Sequence, residues 1–371
     1  MRLDRLSLLN FKNFQEASIE LSAGLNCFVG ANGAGKTNLL DAIHYLSMSK
    51  SFLMAADVYS IRHGDDFFVV QGDFLLKQRE ERIYCGVKKG NSKVFKRNGK
   101  DYEKISDHIG LLPVVFVSPY DTNLIDGAGE DRRKYLNSVV SQLDSGYLST
   151  LIDYNRVLTQ RNRYLKQAWE ARHLDEEVLA VLDMQLSGLG TQIYNRRKQF
   201  IDELAPIFNN YYRFVSGGNE VVSIGYDSAL ASKSMGELLL ASRDKDRYLQ
   251  HTSVGIHRDD IELLIDGYPV KRDGSQGQQK TVLIALKLAQ FDYISKALGI
   301  KPLLLLDDIF DKLDMQRVEQ LILLVAGEAF GQIFITDSNK TRLDGILRKT
   351  KGDHRLFRVE NGNVIQVNDE E

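Results

Sequence analysis

Apolar and polar residues alternate from Leu3 to Leu9 with the period of a half-buried strand, and a second short strand follows near Ala17 to Leu21. The run Leu25-Asn26-Cys27-Phe28-Val29 is nearly all apolar and reads as a buried strand. From Asn38 to Leu46 the spacing becomes that of a helix. Strands return at Asp66 to Leu76 and Arg82 to Lys89, with Gly90-Asn91 and Asn98-Gly99 as hairpin turns, and Val114 to Val117 is again a buried strand. Between about Arg132 and Asn210 strand patterns give way to long helical ones, and one more helix covers Ser232 to Gln250. Gly188, Gly190, Pro206 and Gly217-Gly218 interrupt this block, which argues against the sustained heptads of a coiled coil. A hairpin over Ile261 to Lys271, a helix from Gln278 to Leu298 and the run Leu303 to Leu306 restore strand and helix alternation. A strand at Gln332 to Thr336, a helix at Lys340 to Arg348 and a hairpin at Leu356 to Gln366, folded at Asn361-Gly362, complete the pattern.

The chemistry sits where strand meets helix. Gly30-Ala31-Asn32-Gly33-Ala34-Gly35-Lys36-Thr37 fits the phosphate-binding loop G-x-x-x-x-G-K-[ST], and Asn38 opens the helix that follows. Its glycines let backbone N–H groups turn toward phosphate oxygens, Lys36 can reach the β- and γ-phosphates, and Thr37 can hold Mg²⁺. Four leucines ending in Asp307 and Asp308 read as a buried parallel strand that delivers carboxylates to a ligand crevice, with Asp307 in the Mg²⁺ role. The chain between these motifs is far longer than a compact nucleotide domain needs. The expected organisation is therefore α/β, with residues 1–121 and 251–371 forming one discontinuous nucleotide-binding lobe around an inserted all-helical lobe, 122–250.

Composition narrows the setting. The 371 residues suggest about two domains. A formal charge of -2 leaves nucleic acid to local patches, and two cysteines, Cys27 and Cys85, give no disulfide framework. No apolar run approaches the roughly 20 residues that span a bilayer, so the chain reads as cytosolic. Two basic patches stand out. Lys88, Lys89, Lys93, Lys96, Arg97 and Lys100 crowd a stretch without acids, where they either contact phosphates or keep exposed edge strands from pairing. Arg156, Arg161, Arg163, Lys166, Arg196, Arg197 and Lys198 either form a stripe along a DNA backbone or are the solvated face of a helix.

Gly274-Ser275-Gln276-Gly277-Gln278-Gln279-Lys280 precedes a helix, either as a plain cap or as a second nucleotide contact. It resembles the signature of ABC-type ATPases. Together with Asn10-Phe11-Lys12-Asn13-Phe14, the phosphate loop, Asp131-Arg132-Arg133-Lys134-Tyr135-Leu136, His257-Arg258-Asp259-Asp260 and Leu306-Asp307-Asp308-Ile309-Phe310-Asp311-Lys312-Leu313-Asp314, it is similar from end to end to the RecF family of bacterial recombination mediators. That resemblance implies a P-loop ABC-type ATPase head, a mixed sheet with flanking helices like the heads of SMC proteins. It implies ATP and Mg²⁺ as cofactors and an ATP-dependent homodimer. DNA is the implied partner at gaps or single-to-double-strand junctions, with RecR and RecO helping to load RecA and supporting the SOS response. Ser275, Gly277 and Gln278 of one subunit would face the nucleotide of another, and Asp308 would act on the attacking water in a slow ATPase. Lys12 and Asn13 would lie near the nucleotide, and Asp314 would be the D-loop aspartate, a helix N-cap, or both. The chain departs from the pattern at the switch, where Thr336 or Asp337 stands for a histidine, and at Ser118-Pro119-Tyr120-Asp121, where Asp121 stands for the Q-loop glutamine. Leu53-Met54 replaces a usual arginine, Ile256 a usual proline, and Arg258 is either an ion-pair partner of the acids beside it or an ATP contact. An OLD-type nuclease would need more chain after Asp308, a RecN or SMC relative would need coiled-coil arms, and a small-molecule kinase lacks an evident acceptor pocket.

Overall fold

The computed structural model describes residues 1–218, 220–309, 330–347 and 352–367; Asp314 and the motif residues around it lie outside these. In chain order the elements begin with β1 (Arg2–Phe11), β2 (Phe14–Glu20), β3 (Leu25–Val29), α1 (Lys36–Met48), β4 (Phe67–Leu76), β5 (Arg79–Lys88), β6 (Val94–Arg97), β7 (Lys100–Asp101) and β8 (Val114–Val117). Then follow α2 (Asn123–Asp126), α3 (Gly129–Leu143), α4 (Ser145–Ala171), α5 (Glu176–Ser216), β9 (Val222–Asp227), α6 (Met235–Leu249), β10 (Asp260–Ile265), β11 (Tyr268–Pro269) and α7 (Val270–Asp273). The remainder is α8 (Gln276–Leu298), β12 (Leu303–Asp307), β13 (Ile333–Asp337), α9 (Lys340–Leu347), β14 (His354–Glu360) and β15 (Asn363–Val367). Two compact units result, one of Met1–Asp121 with Ile284–Glu371, the other of Thr122–Leu283.

The first unit holds two sheets. One is antiparallel in the order β2-β1-β4-β5-β6-β7. Its alternating strands turn Leu6, Leu8, Phe68, Val70, Phe74, Ile83, Cys85 and Phe95 into the core. A register shift between Leu3 and Arg5 lets Leu3 and Leu6, three apart, both point inward. The β4–β5 hairpin turns at Lys77-Gln78, both in the left-handed region, so β5 starts at Arg79 and not at the expected Arg82. Without a glycine or asparagine in that turn, the sequence carries no sign of it.

The other sheet runs β15-β14-β3-β13-β12-β8, parallel except for β15 at its edge. Strands β3, β12 and β13 are buried at every residue, which explains their near-continuous apolar sequence. Helix α1 supplies Leu39, Leu40, Ile43, Tyr45 and Leu46 to the same core, and Phe28 stacks on Phe357 of β14.

The second unit is built on long helices. Gly188, Gly190 and Pro206 do not break α5, which runs unbroken for 41 residues. Gly190 is where Tyr154 of α4 comes close, since a Cβ there would lie 3.3 Å from its ring. Beside the helices is a three-stranded sheet, β11-β10-β9, whose register joins Ile265 to Val222 and Asp260 to Asp227. That pairing fastens the chain after residue 250 into this unit, and the boundary falls at Leu283, later than the expected 250. Among the described residues no helix is long and apolar enough to cross a membrane.

Candidate nucleotide site

Strand β3 ends at Val29 and α1 begins at Lys36, so the phosphate loop spans the gap between a buried strand and a helix N-terminus. Gly33 and Gly35 have φ of 82° and 113°, a region that disfavours a Cβ. A Cβ on Gly35 would also lie 2.3 Å from Asn13 Nδ2, and one on Gly30 would lie 2.3 Å from the Val359 carbonyl of β14. Ala31, Asn32 and Gly33 form the exposed crown. Lys36 is 3% exposed and curls beneath it, donating from Nζ to the Gly30 carbonyl at 2.8 Å and the Ala31 carbonyl at 3.2 Å. The first turn of α1 has no acid, which leaves the positive helix end free to favour an anion.

Asn13 clasps the loop from the β1–β2 turn. Its Nδ2 donates to the Ala34 carbonyl at 2.8 Å, and its Oδ1 accepts from Asn38 Nδ2 at 2.8 Å. The loop's shape is therefore fixed from both sides.

The parallel register of β12 with β13 sets Asp307 opposite Thr336. Thr37 Oγ1 donates to Asp307 Oδ1 at 2.9 Å and Thr336 Oγ1 donates to the same oxygen at 2.7 Å. Burial raises the Asp307 pKa above the ordinary carboxylate value, and the two hydroxyls act against that rise. The next residue, Asp308, has φ of 43°, and its N–H donates to Thr336 Oγ1 at 3.0 Å. Its Oδ1 is enclosed and has no hydrogen-bond partner among the described residues. The donors here are all oxygen, from hydroxyl and carboxylate, and suit a hard cation such as Mg²⁺. Among the described residues no three His, Cys, Asp or Glu side chains come together as a metal site.

The family model of the RecF/RecN/SMC N terminal domain matches residues 2–353. A DNA replication and repair protein RecF from Phocaeicola vulgatus is 48% identical over 368 residues, covering 99% of this chain and 98% of that protein. This chain belongs to the RecF family. A RecF from Parabacteroides distasonis is 49% identical, covering 98% of this chain and 99% of its own. A solved structure of the recombination mediator protein RecF-ATPrS in the RecFOR pathway matches with a TM-score of 0.89 at 30% identity, over 99% of this chain and 98% of that one. The fold is accordingly the SMC-type ATPase head of RecF, a DNA replication and repair protein.

Other residues singled out by the RecF pattern fall elsewhere. Lys12 turns away from the loop into a buried ion pair, Nζ lying 2.5 Å from Asp41 Oδ2. Asp41 also accepts from Ser51 Oγ and the Phe52 N–H, each at 2.6 Å, and the Leu53 and Met54 N–H groups donate to Ser51 Oγ. Asp121 is no free Q-loop side chain: it is 2.6 Å from Lys287 Nζ and accepts from the Ser118 N–H at 2.7 Å. Thr336 serves Asp307, and Asp337 accepts from the Asn339 N–H at 2.8 Å.

In the second unit Ser275 and Gln278 form a reciprocal cap on α8. The Ser275 N–H donates to Gln278 Oε1 at 2.7 Å and the Gln278 N–H donates to Ser275 Oγ at 3.2 Å, with Gly277 between them. Gln278 Nε2 donates to Glu220 Oε1 at 2.7 Å. Arg258 does not pair with the acids that follow it. Asp260 takes both arms of Arg132, at 2.6 and 2.8 Å, while Asp259 accepts from Tyr226 and lies near Arg197. Arg258 is exposed, and among the described residues its side chain reaches only the Thr252 carbonyl, at 3.4 Å.

Most cations of the two basic patches have partners within the protein. Arg161 and Arg197 are buried at 0% and 1% exposure. Arg161 bonds Asp183 and Asp246, and Arg197 bonds Tyr147, Asn137 and the Ile256 carbonyl. Arg156 pairs with Asp153, Arg196 with Asp144 and Lys198 with Asp202. In the first patch Lys89, Lys93, Lys96 and Arg97 pair with Asp66, Asp57, Asp101 and Glu81. The two-residue β7, which carries Lys100, is one edge of this sheet, which favours the edge-protecting role.

Proposed function

We propose that this chain is an ATP-switched DNA-binding protein of cytoplasmic recombinational repair. The carrying observation is the convergence of the Thr37 and Thr336 hydroxyls on one carboxylate oxygen of Asp307 beside the phosphate loop, with the Asp308 N–H held by Thr336. In this reading Gly30 to Asn38 cradle the ATP phosphates and Lys36 neutralises their charge. Thr37 and Asp307 would hold Mg²⁺, which when bound offsets charge building on the phosphates. Asp308 accepts a hydrogen bond from the attacking water. Its side chain is one methylene shorter than glutamate, so turnover is slow.

Ser275, Gly277 and Gln278 complete the site from a second copy of the chain, so ATP binding drives a homodimer and hydrolysis releases it. The dimer binds DNA at gaps or single-to-double-strand junctions. With RecR and RecO it supports RecA loading and the SOS response. The reading rests on membership of the RecF family and on ATP-bound RecF relatives.

The test is solution mass with and without ATP and Mg²⁺, for the natural chain and the Lys36→Ala and Ser275→Arg variants, during titration of a gapped duplex. Monomer becoming dimer only in the natural chain, with DNA affinity rising alongside, supports the reading. Mass and DNA affinity that ignore ATP overturn it.

A further inference from the structure

Helices α4 and α6 of the second unit bring their C-terminal ends together, and the chain's only tryptophan lies there. The rings of Trp169 and Tyr248 meet edge to face at 6.1 Å yet stay 44% and 74% exposed. Neither ring is needed by the core, because Leu165 and Ala168 already fill the buried stripe of α4. The pair is nonetheless firmly placed. Fully buried Arg161 of α4 donates to Asp246 of α6 at 2.8 Å and to Thr252 at 2.9 Å, and Asn162 accepts from the Thr252 N–H at 2.7 Å.

Exposed cations gather around the rings. Arg163, Lys166, Arg172, Lys245 and Arg247 are all exposed, and none makes an ion pair among the described residues. Over 163–172 and 244–248 the exposed acids are Glu170 and Asp244 against these five cations; of the acids that follow at the start of α5, Asp175 caps that helix and Glu176 pairs with Arg243. Cations near helix C-termini answer the helix dipole, which accounts for Arg172 and Arg247 but for neither ring.

We propose that Trp169 and Tyr248 stack unpaired bases of single-stranded nucleic acid while the five cations track its phosphates. A duplex keeps its bases inside and offers these rings nothing; a single strand offers π-faces of any sequence between phosphates. The proposal rests on the DNA-binding reading above and names the surface where the single-stranded side of a gap is held.

The experiment uses the full chain with ATP and Mg²⁺, and Trp169 itself reports, since it is the only tryptophan. Oligodeoxythymidylate quenches its emission, and a blunt duplex of equal length does not. For variants that lack the tryptophan the readout is the anisotropy of a fluorescein-labelled oligodeoxythymidylate: Trp169→Ala with Tyr248→Ala weakens its binding about tenfold or more. Trp169→Phe with Tyr248→Phe retains most of it. Lys166→Gln with Lys245→Gln flattens the slope of log affinity against log salt by about 1.4, roughly 0.7 for each phosphate no longer neutralised. Unchanged ATP and duplex binding shows that the variants are folded. If the alanine pair leaves single-strand affinity unchanged while gapped DNA still binds, this surface is wrong and the DNA-binding reading stands. If no DNA of any form binds, both fall. Quenching by an acidic protein but not by the oligonucleotide makes the surface a protein dock and overturns the proposal.

Discussion

Thr336 gives its one hydroxyl proton to the Asp307 carboxylate at 2.7 Å and accepts the Asp308 N–H at 3.0 Å, so one side chain ties the carboxylate of one aspartate to the backbone of the next. Thr336→Val keeps the shape and removes both bonds. It lowers stability by about 1–3 kcal/mol, the cost of buried polar groups losing a partner, seen in the denaturant midpoint. On the proposed function, ATP hydrolysis falls more than ATP affinity, because the Asp308 backbone loses its anchor. Thr336→Ser stays close to the natural chain. An unchanged midpoint for the valine variant would show that the pair needs no such anchor.

Gly35 combines a φ of 113° with a neighbouring side chain where a Cβ would go. Gly35→Ala therefore carries backbone strain of about 1–2 kcal/mol in addition to the clash with Asn13. A fluorescent ATP analogue binds it at least about tenfold more weakly. Adding Asn13→Ala relieves the clash and not the φ, and recovers only part of the affinity. Full recovery would mean that the clash alone matters.

The Lys12–Asp41 pair is 5% and 0% exposed. Breaking it by Lys12→Met leaves a buried carboxylate without its cation and costs about 3–5 kcal/mol. Nucleotide affinity at temperatures where the variant is folded stays near natural, because Lys12 does not face the loop. Loss of ATP binding in a stably folded Lys12→Met protein would restore the direct contact that the sequence suggests.

How far the sequence could be read depended on whether the chemistry was local. The phosphate loop, the four-leucine strand and the interruption of the nucleotide lobe are all visible in runs of neighbouring residues. What escaped were pairings across long stretches of chain: Lys12 with Asp41, Asp121 with Lys287, Arg161 with Asp183 and Asp246. Helical period shows which residues share a face, and an arginine on a face bordered by polar residues looks solvated. One signal was available. Asp183 interrupts the apolar line of Leu179 and Leu186 on α5, and an acid there calls for a buried cation opposite.

Burial holds His44, His108 and His257 neutral, with pKa values lowered to about 4 from 6.5. The unfolded chain binds protons first as pH falls, so stability is level above about pH 6.5 and declines toward pH 4. Each histidine contributes on the order of 3 kcal/mol over that window. Denaturant midpoints at pH 7.5, 5.5 and 4.5 check this, and His108→Gln makes the decline shallower. Midpoints that are flat down to pH 5 would contradict the neutral burial of these rings.

Strand β3, which carries the phosphate loop, has β13 and β14 as its two sheet neighbours. Both come from the last 40 residues of the chain. During synthesis at about 5–20 residues per second, the loop leaves the ribosome roughly 15–60 s before either neighbour exists. Until then its strand edges are open and Gly30 has no Val359 carbonyl against it. The phosphate loop is written near the start of the message and its sheet is finished only at the end, so a chain cut short by a premature stop never closes the sheet on either side of that loop.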